Sequence, residues 1–398
     1  MVQVKDLTEL TVKDLWQEVK GENDWWGDLK AETRNLVKRL LESAMDEEIL
    51  EHVRVRRYER SDVRRGYRNG HRCRSLLTEF GLLESIRVPR DREGDYRPGV
   101  IPRYERRQRR VDRLVREMFL SGVSTRRVGE VVRPLLGEGV SAQTVSRITR
   151  SLDHEVNLYH RRRLDDSYMY LLLDGITLKV KGDAGVKKRL VLCAYGITAL
   201  GQRELVSFRQ ASSESEAQWL TFLQDLYHRG LEGKHLHLIT TDGCPGLHNA
   251  LEMVYPYLPW QWCWAHKLRN VASRLRRKDK EPCLAGAKGI YQAHTRREAV
   301  ARYRQWADRW QESAPGAVAC LGRDLEQLLP FLDCPPDHWK KVRTTNAIER
   351  AFREVRRRTR PMSCFQNPAS VDRIIYGVIS HLNKAWKARP LPQFTHFT

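Results

Sequence analysis

The spacing of apolar positions changes along the chain, from a helical period near its start to short continuous runs in its middle. Over residues 6–50, leucine and valine recur every three or four positions, which predicts helices. Residues 51–106 instead hold short runs separated by glycines, which predict an irregular, Arg-rich β element able to bind DNA. We therefore expect a helical N-terminal arm over residues 1–50, serving either as a cap on the next domain or in dimerisation.

Residues 107–160 show the pattern of a small helical domain. Ser124 and Ser141 each precede an apolar stripe of helical period and are expected to cap the helices that follow. The first of these helices should have Val131 and Leu135 inside, and the second should extend to Leu152. Helix, short glycine turn and helix is the pattern of a helix-turn-helix DNA-binding domain, although an ordinary helical hairpin has the same pattern. In a helix-turn-helix, the outward face of the last helix would offer four side chains to the major groove: Gln143, Thr144, Arg147 and Arg150.

The pattern of apolar residues changes again in the middle of the chain. Residues 161–264 read as strand, strand, strand, helix, strand, helix and strand, which predicts a mixed α/β sheet. The last strand is expected over Trp260–Trp264, with alternate tryptophans in the core more readily than stacked on bases. Residues 265–340 lose strand character and predict an all-helical segment. Residues 341–398 add a helix from about Asn346 and a C-terminal helix.

The charge of the chain indicates its class of partner. Lys and Arg number 71 against 50 Asp and Glu, a formal charge of +21, which points to a polyanion such as nucleic acid. The excess lies in two blocks: residues 51–115, with nineteen Arg against ten acidic residues, and residues 339–360, with nine basic residues against two acidic ones. Arginine suits bidentate contacts to phosphate and guanine, although solvated helix faces can have the same composition.

Composition also excludes several classes of protein. A hydrophobic content of 41% is enough to build a core, which excludes a wholly disordered chain. No apolar stretch approaches the ~20 residues of a membrane helix. The eight cysteines form no C-x-x-C pair and are expected to be reduced thiols. We expect a cytoplasmic protein with neither a membrane partner nor a small-molecule cofactor.

Two aspartates carry the first chemical signal. Asp174 in LLLDGI and Asp242 in LITTDG each end an apolar run and precede a glycine, which would place both carboxylates at the rim of the sheet. Two such carboxylates can bridge hard divalent cations such as Mg²⁺, and a pair of cations assists in-line phosphoryl transfer. Each aspartate would equally suit the turn that ends a strand.

The stretch TTNAIERAFREVRRRTR suggests a third carboxylate. Its apolar positions form one helical stripe, and Glu349 lies beside that stripe with Arg353 and Arg356 on its own side. Glu349 could instead close a capping box with Asn346 at the start of the helix. Glu354 is a competing choice that lies more than one turn further on.

Taken in order, the blocks LLLDGITLKV, TTDGCPGL, QWCWAHKLRN and RTTNAIERAFREVRRRTR resemble those of the mutator-type bacterial insertion-sequence transposases. The upstream stretches YRNGHR, VPRDREG and GVSTRRV resemble that family as well. The resemblance implies an α+β multidomain protein in which an RNase H-like catalytic domain is interrupted by an all-helical insertion. It also implies an Asp-Asp-Glu (DDE) triad of Asp174, Asp242 and Glu349. Trp262 stands where the family more often has arginine.

The activity that the resemblance implies is DDE transposition of DNA. The protein would bind terminal inverted repeats, cleave at the 3′ ends of the element and transfer those ends to target DNA. The triad would hold two Mg²⁺ ions, or Mn²⁺. A homodimer on double-stranded DNA, association with the bacterial nucleoid and a circular DNA intermediate are further implications. The alternatives are an RNase H-fold nuclease or resolvase, and a domesticated, non-catalytic DNA-binding regulator.

The block QWCWAHKLRN contains the family's C-x-x-H pair, Cys263 and His266. A zinc site would need about four ligands, and the spacing to Cys283 and His294 matches no common zinc module. The pair is either structural or a support for catalysis. Together with the second basic block, this stretch supplies the predicted DNA contacts near the site: His266, Lys267, Arg269, Asn270, Arg343, Arg350, Arg353, Arg356 and Arg357.

Overall fold

A computed structural model describes residues 25–56, 59–182, 185–360, 365 and 367–397. The helical leucines predicted at positions 7, 10 and 15 lie outside these residues. The described chain forms two compact units. The first runs to Phe119 and adds Val123–Thr149, and the second comprises Leu120–Gly122 and the described residues from Arg150 onward. The finer division predicted above, into six segments, stays a prediction.

The first unit begins with a long helix against a β hairpin. Helix α1 (Trp25–Val53) buries Met45 against strand β2 (Gly81–Asp91), which pairs antiparallel with β1 (Arg68–Thr78). Gly81 makes the turn with φ of +118°, a conformation that side-chain-bearing residues rarely adopt. Two register shifts interrupt the ladder, as expected of an irregular element.

Three short helices follow, and their valines form one core. They are α2 (Arg109–Leu120), α3 (Thr125–Leu136) and α4 (Ala142–Thr149). The Ser124 and Ser141 hydroxyls accept the backbone N–H groups three residues on, as the capping prediction requires. The buried positions recur at intervals of four along α2 and α3: Val111, Val115, Phe119, Val128, Val132 and Leu136.

Two expectations for these helices were wrong. Val131 and Leu135 were predicted inside α3 but are exposed, because the buried stripe of α3 runs along a narrower face. Leu152 was predicted as part of the third helix. It instead begins a separate helix, α5 (Leu152–Arg161), in the second unit.

A five-stranded mixed sheet forms the centre of the second unit. Its strands are β3 (Tyr168–Gly182), β4 (Gly185–Thr198), β5 (Arg203–Ala211), β6 (Leu238–Thr241) and β7 (Trp260–Trp262). They lie in the order β5-β4-β3-β6-β7. The first three form an antiparallel meander, while β6 and β7 run parallel to β3. The predicted mixed α/β sheet is confirmed.

Helices α6 (Glu216–His228) and α7 (Pro245–Val254) connect β5, β6 and β7. Trp219 and Phe222 of α6 are fully buried with Leu171 of β3 and Leu247 of α7 in one apolar cluster. Each such side chain contributes ~1.5–3 kcal/mol when fully buried. This cluster supports the sheet from which the candidate site projects.

After the sheet, residues 263–342 form helices and 3₁₀ turns. The helices are α8 (Trp264–Ala272), α9 (Lys280–Ile290), α10 (Arg296–Trp310), α11 (Pro315–Arg323) and α12 (Trp339–Val342). The strand predicted over Trp260–Trp264 therefore ends at Trp262. Trp264 starts α8 instead, fully buried, because its indole N–H donates to the Leu328 carbonyl at 2.7 Å.

Two longer helices complete the second unit. Helix α13 (Asn346–Thr359) carries Glu349, and α14 (Pro368–Lys387) packs on α5, α13 and β5. Arg373 of α14 holds Asp153 of α5 through two hydrogen bonds of 2.6 and 2.8 Å. Within the described residues, every helix is too short or too polar to cross a membrane.

Candidate active site and nucleic-acid interface

Asp174 and Asp242 lie side by side where the pairing of the adjacent strands β3 and β6 ends. Leu172 pairs with Thr240 across the parallel strands β3 and β6, and each aspartate follows two residues later. The sequence suggested that Asp174 ends its strand. The strand β3 instead continues past Asp174 and pairs with β4 as far as Gly182. The pairing with β6 ends before Asp174, so its carboxylate still lies where two strands part.

Glu349 reaches the same place from a distant part of the chain. The Val342 carbonyl accepts the Thr240 hydroxyl at 2.6 Å and the Gln261 amide at 2.9 Å, which holds the end of α12 to the sheet. Helix α13 starts four residues later, and Glu349 lies in its first turn. A side chain more than 100 residues beyond Asp242 is thereby fixed near Asp174.

A possible cation site is formed by Asp174, His266 and Glu349. One ligand atom from each lies within 4.8 Å of the others, and these three are the one such group of His, Cys, Asp or Glu that the described residues contain. The Asp242 carboxylate lies beside the group and accepts the Cys244 backbone N–H at 3.1 Å. Asp242 is thus adjacent to the group without being part of it.

The electrostatics of Asp174 suit a cation ligand. Asp174 is 5% exposed, and burial, reinforced by the neighbouring Asp242 and Glu349 carboxylates, raises its pKa to about 7. Hydrogen bonds from the Gly175 N–H and the Thr345 hydroxyl act in the opposite direction. Such crowding of carboxylates is costly without a compensating positive charge, and a bound cation would supply it.

Thr345 connects the site and was not singled out in the sequence. It is fully buried at the N-cap of α13, where its N–H donates to the Cys263 thiol at 3.2 Å and its hydroxyl lies 3.4 Å from His266 Nδ1. Cys263 and His266 therefore both hold the start of the Glu349 helix. The signal available in the sequence was the pair of threonines, Thr344 and Thr345, immediately before that helix.

The Glu349 carboxylate contacts Arg269, and its Oε1 lies 3.8 Å from His266 Nε2. The capping-box alternative is absent, because Thr345 is the N-cap residue, Asn346 is already helical, and the Glu349 side chain points to α8. Burial and the Arg269 charge lower the pKa of His266, so its ring is neutral near pH 7. The imidazole lies within hydrogen-bond distance of the Thr345 hydroxyl and close to the Glu349 carboxylate.

His266→Ala is expected to lower strand cleavage about 100-fold while leaving DNA-end binding intact, because it removes the contact that orients Glu349. Cleavage of a labelled end oligonucleotide and a gel-shift titration would measure the two effects. His294→Ala, which removes an exposed imidazole from the helical segment, is the matched control. Full cleavage activity in the His266 variant would contradict the assignment.

One predicted DNA contact, Lys267, is wrong, and a second, Arg343, is partly used within the protein. Lys267 is 2% exposed and pairs with the buried Asp324, so its ammonium faces the protein interior. Arg343 is half-buried, with its guanidinium 4.3 Å from the centre of the Tyr291 ring and donating to the Tyr291 carbonyl. The Lys267 ammonium is thus withdrawn from solvent, whereas Arg343 keeps part of its surface exposed and its DNA contact stays a prediction.

The other basic residues near the site keep an exposed surface. Arg269 and Asn270 are exposed on α8, and Arg350, Arg353 and Arg356 are exposed on α13. Arg357 is exposed too, but it pairs with Glu354 at 3.1 Å. Since Arg358 also binds the Glu354 carboxylate, at 2.6 Å, Glu354 is not available as a third acidic group.

Trp262, the departure from the family pattern, belongs to a packed stack. The His248 ring is nearly parallel to the rings of Trp260 and Trp262, with ring centres 4.1 and 5.2 Å away, and the Trp262 indole donates to His248 Nδ1 at 3.3 Å. Burial lowers the pKa of His248 to about 4, which keeps its ring neutral. The stack lies beside Gly243 and so supports the turn that carries Asp242.

The zinc alternative lacks a ligand set among the described residues. Cys263 is buried and hydrogen-bonded by Thr345, and Cys283 is buried in α9, where its backbone carbonyl accepts the Trp306 indole. The cation group around Asp174 includes no cysteine.

The first unit has a basic cleft of about 630 Å³ between its hairpin and helix α4. Asp112 pairs with Arg107, and the Pro102 carbonyl holds Arg74. The other three arginines of the cleft have no carboxylate partner among the described residues: Arg72, Arg103 and Arg106. Ser141 and Thr144 of the capped end of α4 line the same cleft. This arrangement suits a phosphate backbone entering beside the helix.

The four predicted base-reading residues stand in different environments. Gln143 and Arg147 are exposed on α4, and Arg150 is exposed just after it. Thr144 is half-buried, because its backbone N–H and hydroxyl both contact the Ser141 hydroxyl, at 3.2 and 3.1 Å. Gln143 and Arg147 are therefore the better placed to reach base edges from α4.

Comparison with known proteins gives a consistent result. The family model for "Transposase, Mutator family" matches residues 10–389. The chain is 33% identical to the transposase for insertion sequence element ISRM5 of Rhizobium meliloti, over 89% of this chain and 88% of that protein. It is also 33% identical to the transposase for IS256 in transposon Tn4001 of Staphylococcus aureus, over 89% of this chain and 90% of that protein. Identity to the IS1081 transposase of Mycobacterium tuberculosis is 32%, over 82% of this chain and 79% of that protein.

Proposed function

Since this chain belongs to the Mutator family of transposases, we propose that it is a DNA transposase of an insertion sequence that acts by a DDE mechanism on terminal inverted repeats. The first unit would hold the element ends through helix α4 and the arginines of its cleft. The second unit would carry out the reactions at phosphorus. Two protomers would bring two ends together.

The topology of the sheet supports an RNase H-like catalytic domain. An antiparallel meander of three strands joined to two parallel strands, with helices in the crossovers, is the arrangement expected of that fold. The helical residues 263–342 would be the insertion, since they separate β7 from the Glu349 helix.

One observation carries the proposal: Asp174 and Glu349 come together beside Asp242 although they lie 175 residues apart in the chain. Their carboxylate oxygens suit Mg²⁺ or Mn²⁺, and burial of Asp174 beside Asp242, which raises its pKa to about 7, favours a compensating cation. His266 is a less usual Mg²⁺ ligand and more readily orients Glu349. Asp174, Asp242 and Glu349 would hold two cations, which would stabilise charge on the attacking and leaving oxygens.

The side chains around the carboxylates then have defined tasks. Thr345 orients Asp174 and the start of α13, while His266 and Arg269 fix Glu349. When a cation takes the Glu349 carboxylate, Arg269 would be freed to bind a phosphate oxygen. In cleavage, water attacks phosphorus and the 3′ oxygen leaves as the 3′-OH of the element end. In transfer, that 3′-OH attacks a target phosphate and displaces another 3′ oxygen.

The test is an assay with oligonucleotides that carry the inverted repeats flanking the gene. With Mn²⁺ or Mg²⁺ the protein should nick at the 3′ end of the repeat and join that end to a plasmid. Nicking without joining would favour the nuclease or resolvase alternative. Sequence-specific binding with neither reaction would favour the non-catalytic regulator.

Arg147→Ala is expected to weaken binding of the terminal repeat by roughly 10- to 100-fold and to reduce discrimination against scrambled DNA, because base contacts carry specificity. Arg106→Ala should weaken both DNAs alike and make the salt dependence less steep, because the cleft would contact phosphates. Fluorescence anisotropy at several salt concentrations measures both. Equal losses on repeat and scrambled DNA for Arg147→Ala would refute its role in base reading.

A further inference from the structure

A turn between α8 and α9 has an unusual concentration of unpaired charge. Arg274, Arg276, Arg277 and Lys278 are all exposed within five residues, and we name them the cationic turn. No carboxylate among the described residues pairs with any of the four. Asp279 is the single acidic residue from Trp264 to Lys280. Like charges at this density repel one another unless a polyanion neutralises them.

The backbone of the cationic turn is well supported. Leu275 is 8% exposed and anchors the turn, while the Arg274 N–H donates to the Val271 carbonyl and the Asp279 N–H to the Arg276 carbonyl, both at 3.0 Å. The basic side chains are therefore held outward on a defined backbone. The backbone groups of this segment bond to one another, whereas its four cationic side chains pair with no carboxylate of the described residues.

The position of the cationic turn relates it to the candidate site. It directly follows α8, the helix whose Arg269 contacts Glu349. Five to nine residues of chain separate Arg269 from the members of the turn. The turn is therefore the segment that follows the site-contacting helix in the chain.

We propose that the cationic turn binds the sugar-phosphate backbone of DNA just outside the element end. This inference rests on the proposed function. A turn offers no helix or strand to enter a groove, so its Lys and Arg side chains suit phosphates rather than bases. A contact that ignores sequence suits DNA that differs at every insertion. Two DNAs meet that description, the donor flank before cleavage and the target during transfer.

The test compares two triple variants with equal loss of charge. Arg276→Ala/Arg277→Ala/Lys278→Ala removes three charges of the turn. Arg297→Ala/Arg304→Ala/Arg309→Ala removes three exposed charges from α10 in the same helical segment. Each is assayed with end DNA lacking a flank, with end DNA carrying a 15-base-pair flank, and in transfer of a pre-cleaved end to a plasmid. Thermal unfolding verifies that both variants fold.

The turn variant should bind flank-free ends like wild type. It should lose about 10-fold or more in affinity for flanked ends, or in target joining, with a salt slope smaller by about 2–3. The variant Arg276→Lys/Arg277→Lys should behave like wild type in both assays, because the charge is kept. Loss with the flanked end assigns the turn to the donor flank, and loss in joining assigns it to the target. Wild-type behaviour in both arms would overturn the proposal, whereas inactivity of the wild type would instead count against the proposed function.

Discussion

Asp174→Asn is expected to reduce strand cleavage and strand transfer by on the order of 10³-fold or more, which corresponds to about 4 kcal/mol of activation free energy. The asparagine keeps the size of the side chain but removes the negative charge that would hold cations at the meeting point of β3 and β6. Binding of the element end should remain within about twofold of wild type. Gel-based cleavage with Mn²⁺ and anisotropy titrations measure the two quantities.

A matched control is Asp372→Asn, which alters another carboxyl whose pKa is raised by burial. That carboxylate accepts the Gln210 amide at 2.7 Å, and an asparagine oxygen can do the same. The control should cleave normally. Unchanged cleavage by Asp174→Asn would make the triad assignment wrong.

The pKa of Asp174 adds a pH dependence with a defined sign. Because a cation binds the ionised form, Mn²⁺ affinity should fall as pH decreases below about 7. In the absence of metal, the folded-state pKa lies above the unfolded value of ~3.9, so the protonated form stabilises the fold at low pH. That contribution is lost as pH rises through about 7. Asp174→Asn should therefore unfold at a higher temperature than wild type at pH 8 in EDTA.

Lys267→Ala is expected to destabilise the protein by roughly 3 kcal/mol, because it leaves Asp324 with a buried charge that loses its closest partner. The value lies at the low end of the range for broken buried pairs, since Arg323 still bonds Asp324 at 3.1 Å. Urea unfolding followed by circular dichroism measures the change. The slope of log affinity against log salt for DNA should be unaltered.

The double variant Lys267→Met/Asp324→Leu distinguishes a structural role of Lys267 from a role in DNA binding. Replacing a buried ion pair by apolar side chains of similar volume is often neutral or stabilising, so this variant should recover most of the loss. A stable Lys267→Ala protein with weaker DNA binding and a salt slope smaller by about 1 would instead restore Lys267 as a DNA contact.

The local pattern was sufficient for the elements that depend on neighbouring residues. Serine caps at positions 124 and 141 and the order of strands and helices in the sheet follow from spacing and capping chemistry, which act over a few residues. The Trp260–Trp264 run was misread because alternating tryptophans favour a strand. The Leu328 carbonyl that accepts the Trp264 indole, and so fixes it in a helix, lies 64 residues away.

Charge composition was a poorer guide than periodicity. A lysine and an arginine within basic stretches look the same whether they face DNA or the interior. Lys267 turned inward to Asp324 and Arg343 to Tyr291, while the arginines of the cationic turn stayed outward. The free energy of a buried charge depends on its partner, and partners distant in the chain leave no periodic signal.

For the candidate site, the sequence alone identified a polyanion partner, the two aspartates after apolar runs and, through family resemblance, Glu349. The closeness of these carboxylates depends on contacts of the folded chain, because the hydrogen bonds of Thr240 and Gln261 to the Val342 carbonyl place α13 where Glu349 lies near Asp174. The same is true of Thr345, which matters because three site residues meet at its side chain and N–H. Periodicity and capping act over one or two turns of chain, whereas an active site is assembled from hydrogen bonds between segments brought together by burial.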